Sequence, residues 1–137
     1  MNEDHCAMKG VVPHLTIRDN RAAEAIDFYA RAFGASESGR QIADDGERIL
    51  HAHLEVNGGP LMLNDDFPEM MGGAAPSPAG VGLHIDVPDA DAAWEKALAA
   101  GAVARFPLDN QFWGQRYGQV TDPFGHIWSI GGPVRPD

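Results

Sequence analysis

From Val11 to Asp19 the chain alternates, with Pro13, Leu15 and Ile17 on one side and Val12, His14 and Thr16 on the other. That period of two predicts a strand with one face on a core. The spacing then becomes helical, with Ile26, Tyr29, Ala30 and Phe33 on one stripe. Asp19 or Asn20 is placed to cap this helix and Gly34 to end it. Three more strands are expected around Glu37 to Ile42, Arg48 to Val56 and Pro60 to Asp65. The turns at Asp44 to Gly46 and Asn57 to Gly59 supply residues that tolerate positive φ. The first half therefore reads β-α-β-β-β.

The second half repeats the pattern. Residues 80–89 alternate as a strand; residues 90–102 put Ala90, Trp94, Ala97 and Leu98 on a helical stripe that stops at Gly101. Strands around Val103 to Leu108, Arg116 to Thr121 and His126 to Ile130 complete it. Moving the first half forward by about seventy positions lays His14 on His84 and Asp19 on Asp89, so an internal duplication is read. Residues 67–79, without period and rich in Pro, Gly and Ala, read as a surface linker of a length that would also suit a lid. The expected fold class is α+β: tandem βαβββ modules at 11–66 and 80–132, flanked by tails 1–10 and 133–137.

Composition narrows the function. Ten Lys and Arg against twenty Asp and Glu give a formal net charge of −10, which repels phosphate backbones and anionic membranes and favours a cationic small molecule. No apolar run reaches the ~18 residues of a spanning helix and no leader pattern opens the chain, so a cytoplasmic protein is expected. Cys6, the single cysteine, excludes an internal disulfide framework and reads as a tail residue.

Strand parity also nominates a site. If Leu15, Ile17, Ala52, Leu54, Leu83, Ile85 and Val87 face the helices, the opposite face carries His14, Thr16, His51, His53, Glu55, His84 and Asp86. Asp122, Pro123, Phe124 and Gly125 fit a type I turn that sets the register of the last hairpin. With Val120 inward, Tyr117 and Gln119 join the polar face, and Phe112 and Trp113 arrive from the loop before them. Trp128 reads as core and Phe124 as a surface or packing residue. Arg116 suits either an acidic neighbour or an anionic ligand group. The ligand-binding set is thus His14, Thr16, His53, His84, Trp113, Tyr117 and Gln119. Glu55 and Asp86 are the candidates for general acid or base.

The tandem modules, the segment "FYARAFGA" and the run from Trp113 to Trp128, "WGQRYGQVTDPFGHIW", resemble the vicinal oxygen chelate superfamily. It includes glyoxalase I, extradiol dioxygenases, fosfomycin resistance enzymes and bleomycin resistance proteins. The PhnB-like branch is the most similar, through "VVPHLTI" and "LMLNDD". The resemblance implies cupped mixed sheets with helices outside, a ligand cavity, a homodimer, and metal ligands on the first and last strand of each module. Those positions hold Val12, Leu63 or Asn64, Gly82 and Ser129, and none is a strong donor. No cofactor is therefore expected, and the chain is expected to bind a small cationic or aromatic molecule. The alternative is a divalent metal (Zn, Ni, Mn or Fe) displaced onto His14, His84 and Glu55, which would serve a lyase, isomerase or dioxygenase.

Overall fold

The protein is described over residues 8–136 from a computed structural model. Cys6 lies outside the described residues. The elements run β1 (His14–Ile17), α1 (Ala22–Phe33), β2 (Ser36–Ile42), β3 (Ile49–Val56), β4 (Gly59–Asp65), α2 (Pro68–Met71), β5 (Gly82–Asp86), α3 (Ala90–Ala100), β6 (Val103–Asn110), β7 (Arg116–Thr121) and β8 (Ile127–Gly132). They divide into two compact units. Among the described residues, the first comprises 8–30 and 34–76, and the second comprises Arg31–Phe33 and 77–136.

Each unit contains one four-stranded sheet, ordered β1-β4-β3-β2 in the first and β5-β8-β7-β6 in the second. In each, the first strand pairs parallel to the last, and the other neighbours are antiparallel. A helix and two further strands separate the first strand of each module from its parallel partner, β1 from β4 and β5 from β8, which supplies the long connection a parallel pair needs. The fold is the doubled βαβββ arrangement expected from the alternation and repeat.

In the first unit, Leu15, Ile17, Ala52, Leu54, Leu61 and Leu63 are buried, alternating with more exposed neighbours on β1, β3 and β4. Asp65 is a buried carboxylate at the end of β4. Its Oδ1 accepts the Ala22 amide at 2.9 Å and its Oδ2 the Ile49 amide at 2.7 Å. One side chain thus satisfies an amide at the start of α1 and another at the start of β3.

That corrects the expected cap. Asp19 and Asn20 lie in the turn at φ 64° and 58°, and Arg21 stands at the cap position with no side-chain cap bond. Asp65, distant in sequence, does the work a local Asp or Asn was expected to do. Gly34 ends α1 in the left-handed conformation as its position suggested. Ala30 is exposed rather than on the inner stripe, whereas Ala22, Ala25, Phe28 and Ala32 are buried with Ile26 and Tyr29. The expected linker carries the single-turn helix α2, begun by Pro68, a residue suited to the first helical position.

In the second unit α3 packs against β6, β7 and β8. Its start is capped by Asp89, whose carboxylate accepts the Ala92 amide at 3.1 Å. Ala90 and Ala97 are buried, but Leu98 is 37% exposed and falls outside the expected stripe. Gly118 on β7 faces the helix. A Cβ built there would lie 2.8 Å from Trp94 Cζ3 and 2.8 Å from the Leu108 Cα, so only glycine permits this approach.

The hairpin between β7 and β8 turns on buried Asp122. Its Oδ1 accepts the amides of Phe124 at 2.9 Å and His126 at 3.0 Å, and its Oδ2 accepts the Trp128 indole N–H at 2.9 Å. The Gly125 amide closes the turn on the Asp122 carbonyl at 3.1 Å. Trp128, 2% exposed, stacks on Phe33 with ring centroids 4.3 Å apart. Phe124 is buried as well, so it is a packing residue and not a surface one. Among the described residues, no helix is long and apolar enough to cross a membrane.

Two stability outcomes follow from these contacts. Asp122→Ala strands three buried or part-buried N–H donors and is expected to destabilise the protein by about 3 kcal/mol in urea unfolding. Gly118→Ala forces a methyl group against Leu108 backbone and Trp94 and should lower the unfolding free energy by roughly 1–3 kcal/mol. An unchanged denaturation midpoint in either variant would contradict the contacts described.

Candidate functional site

The pairing of β5, β8 and β7 determines which side chains share a face. His84 is opposite Ser129, and Ser129 is opposite Gln119; Asp86 is opposite Gly131, and Gly131 is opposite Tyr117. The intervening rows hold Ile85, Ile130 and Gly118, and Leu83, Trp128 and Val120, of which Ile85, Ile130, Trp128 and Val120 are core residues. Because side chains alternate with a period of two, a tryptophan fixed in the core puts its neighbour Ser129 on the polar face with His84.

His84 is held at both nitrogens. Nδ1 lies 2.7 Å from Ser129 Oγ and Nε2 lies 3.1 Å from Asp86 Oδ1. A carboxylate only accepts, so in the neutral ring Nε2 carries the hydrogen and the serine hydroxyl donates to Nδ1. Asp86 Oδ1 also accepts the Gln115 amide at 3.0 Å, and the Gln115 carbonyl accepts the Trp113 indole N–H at 3.2 Å. The hydrogen-bonded chain therefore runs from Ser129 through His84, Asp86 and Gln115 to Trp113.

An aromatic series runs beside it. His84 and Tyr117 are nearly parallel, with centroids 5.9 Å apart and 19° between planes; Trp113 meets Tyr117 edge-on at 5.5 Å. Phe106 also meets Tyr117 at 6.2 Å. Gln119 donates to the Tyr117 hydroxyl at 3.0 Å and accepts from Arg105, which sets the phenol's direction. Gly131 is the floor. A Cβ there would stand 2.4 Å from the Gln115 amide nitrogen and 2.8 Å from His84 Cε1, so these side chains fold over bare backbone.

Of the expected residues, the second unit thus gathers His84, Asp86, Trp113, Tyr117 and Gln119 on one face. Phe112, beside Trp113 in the loop, is 96% exposed and meets the Trp113 ring edge-on at 5.1 Å. Sequence reading missed Gln115 and the partnership of Ser129 with His84. Parity could have shown the second, since Ser129 follows buried Trp128; nothing in the loop before β7 marks Gln115.

Arg116 belongs elsewhere. Its guanidinium grips Asp91 on α3 through Nε at 2.8 Å and Nη2 at 2.9 Å, and it also donates to Asn110 at 3.3 Å. The hydrogen bonds from Arg116 hold the Asp91 carboxyl below its ordinary range, and they raise the arginine in turn. This is an acidic neighbour, the first of the two partners considered for Arg116.

The first unit carries its own polar row. Thr16 donates to Asn64 at 3.1 Å across the parallel β1/β4 pair. Leu63 is fully buried on the core side, so of the two residues nominated on β4 it is Asn64 that shares the polar face, because parity permits only one. His14 and His53 lie on either side of Met62, while Glu55 is opposite Pro60 and Ser36. The rings of His14 and His51 are edge-on at 6.1 Å, and those of His51 and His53 at 4.2 Å. Val12 precedes β1, Gly82 begins β5 and Ser129 is bonded to His84. Among the described residues, no group of three or more His, Cys, Asp or Glu side chains is disposed to hold a metal ion.

The comparisons with known proteins agree with this architecture. An uncharacterized protein of Mycobacterium bovis is 50% identical over 128 residues, spanning 90% of this chain and 82% of the relative. A crystal structure of an Arabidopsis thaliana gene product superposes with a TM-score of 0.71 at 29% identity, over 90% of this chain and 98% of that one. The PhnB protein from Bacillus cereus shares the fold with a TM-score of 0.69 at 20% identity, over 90% of this chain and 99% of that one. The family model for the glyoxalase/bleomycin resistance protein/dioxygenase superfamily matches residues 11–130, and the chain belongs to that superfamily.

Proposed function

We propose that the protein binds a small planar or cationic molecule on the polar face of the second sheet, against His84, Tyr117 and Trp113, without a metal at the superfamily's usual positions. The observation that carries this reading is the aromatic series ending at a carboxylate. Trp113, Tyr117 and His84 follow one another at 5.5 and 5.9 Å, and Asp86 stands at the His84 end. Trp113 is 49% exposed, so a large rigid ring is offered to solvent. A cation over such rings gains about 0.5–2 kcal/mol beyond its contact area. Asp86 and the formal charge of −10 attract the same class of ligand.

His84 argues against a metal role for that ring. Both nitrogens are committed, so coordination would have to displace either the Ser129 hydroxyl or the Asp86 carboxylate. In the reading proposed here, those two bonds hold the imidazole plane so that its face, and not its lone pair, meets the ligand. Asp86 then supplies charge instead of acting as a general acid or base.

Titration with bleomycin and with simpler cationic aromatics, followed by tryptophan fluorescence, tests this reading. Trp113 is the half-exposed reporter, while Trp128 is shielded. Trp113→Ala and Tyr117→Ala should each weaken binding by about tenfold, the loss expected for one ring beneath a cation. Asp86→Asn should weaken cationic probes and spare neutral planar ones. No fluorescence response across the panel would overturn the proposal.

Gly131→Ala offers a subtler check. The added methyl displaces the Gln115 amide and crowds His84, so affinity should fall while the unfolding midpoint shifts by less than it does for Gly118→Ala. The difference arises because the atoms met at residue 131 are side-chain ends, whereas those met at residue 118 include backbone.

A further inference from the structure

The polar face of the first sheet carries a second feature that the aromatic face of the second unit does not use. His51 and His53 are two residues apart on β3, so both point to the same side of the sheet. Their Nε2 atoms are in direct contact. Two neutral imidazoles can make such a contact only if one nitrogen donates and the other accepts; otherwise both present lone pairs to the same point. The ring of His14 on β1 stands edge-on to His51 at 6.1 Å.

The register places a further donor type nearby. Met62 on β4 lies directly between His53 and His14, so its thioether belongs to the same row. Imidazole and thioether prefer late first-row metals, and the order of affinity rises to Cu²⁺. Neighbouring Thr16 and Asn64 are hydrogen-bonded to each other and offer only neutral oxygens.

The geometry points to a divalent transition-metal site in the first unit, formed by Nε2 of His51 and Nε2 of His53 as a two-imidazole chelate. An ion bound at about 2.0–2.1 Å from each nitrogen needs the pair to open to roughly 3 Å, a side-chain movement with the strand left in place. Two protein donors leave the remaining coordination positions to water or to a ligand, which agrees with the absence of a ready set of three acidic, cysteine or histidine donors among the described residues. The site takes Cu²⁺, Ni²⁺ or Zn²⁺ and discriminates against Mg²⁺ and Ca²⁺, which prefer oxygen ligands. It uses neither His84 nor any of the superfamily positions Val12, Asn64, Gly82 and Ser129.

Calorimetric titration of the full chain with Zn²⁺, together with the Cu²⁺ electron paramagnetic resonance spectrum, tests this proposal. One ion should bind per chain, with nitrogen hyperfine structure from two imidazoles. His51→Gln and His53→Gln keep the polar bulk of the ring and should each weaken binding by roughly tenfold or more, because a chelate is reduced to one arm. His84→Gln, and His5→Gln combined with Cys6→Ser in the N-terminal stretch, should leave affinity unchanged. Binding that survives both strand substitutions, or that vanishes with the N-terminal pair, would overturn the site. So would silence of wild-type protein toward Cu²⁺, Ni²⁺ and Zn²⁺. The readouts are independent of the fluorescence titration, so failure of either proposal leaves the other standing.

Discussion

The carboxylate of Asp122 sets the geometry on which the second unit depends. It accepts two amides across a tight turn and the indole N–H of Trp128, all between 2.9 and 3.0 Å. A buried carboxyl group of this kind is tolerable only when its lone pairs are occupied, and here the donors come from the turn and from β8. Because a slip of one residue would invert every side chain of β8, fixing Trp128 in the core also fixes Ser129 on the opposite face. The imidazole of His84 is then met by a hydroxyl at 2.7 Å, and the aromatic series has its orientation.

Asp65 performs a related task in the first unit with different partners. Its two oxygens join the start of α1 to the start of β3, elements separated by more than a dozen residues. Both modules therefore use a buried Asp at a strand end to satisfy amides that no ladder reaches. The duplicated topology is kept while the chemistry on the two polar faces diverges. One sheet displays histidines with Thr16, Asn64 and Glu55; the other displays rings linked to a carboxylate through Gln115.

Glycine is required at two points of the second sheet, one on each face. Gly118 lets α3 approach β7, and Gly131 lets His84, Gln115 and Asp86 lie across backbone. Neither glycine needs an unusual φ; each is required because a neighbouring atom occupies the space of a Cβ. Strong local packing on one side of the sheet thus coexists with side chains that can be displaced on the other, an arrangement suited to a binding face on a rigid support.

The order of elements within the two βαβββ modules, the duplication and the inward and outward parity of β1, β3, β5 and β7 were determined by the sequence, because period-two alternation and helical stripes are local properties; the single-turn helix α2 was not. The turn at residues 122–125 was legible for the same reason, since Asp, Pro and Gly each act within a few bonds of themselves. Tertiary structure alone decided which carboxylate caps α1, where Asp65 replaced Asp19 or Asn20, and which side of β4 Leu63 and Asn64 take. It alone gave Arg116 to Asp91 and made Gln115 the link between Trp113 and Asp86. Those outcomes depend on contacts between residues far apart in the chain, whose distances follow from strand pairing and packing and leave no periodic trace in the order of amino acids.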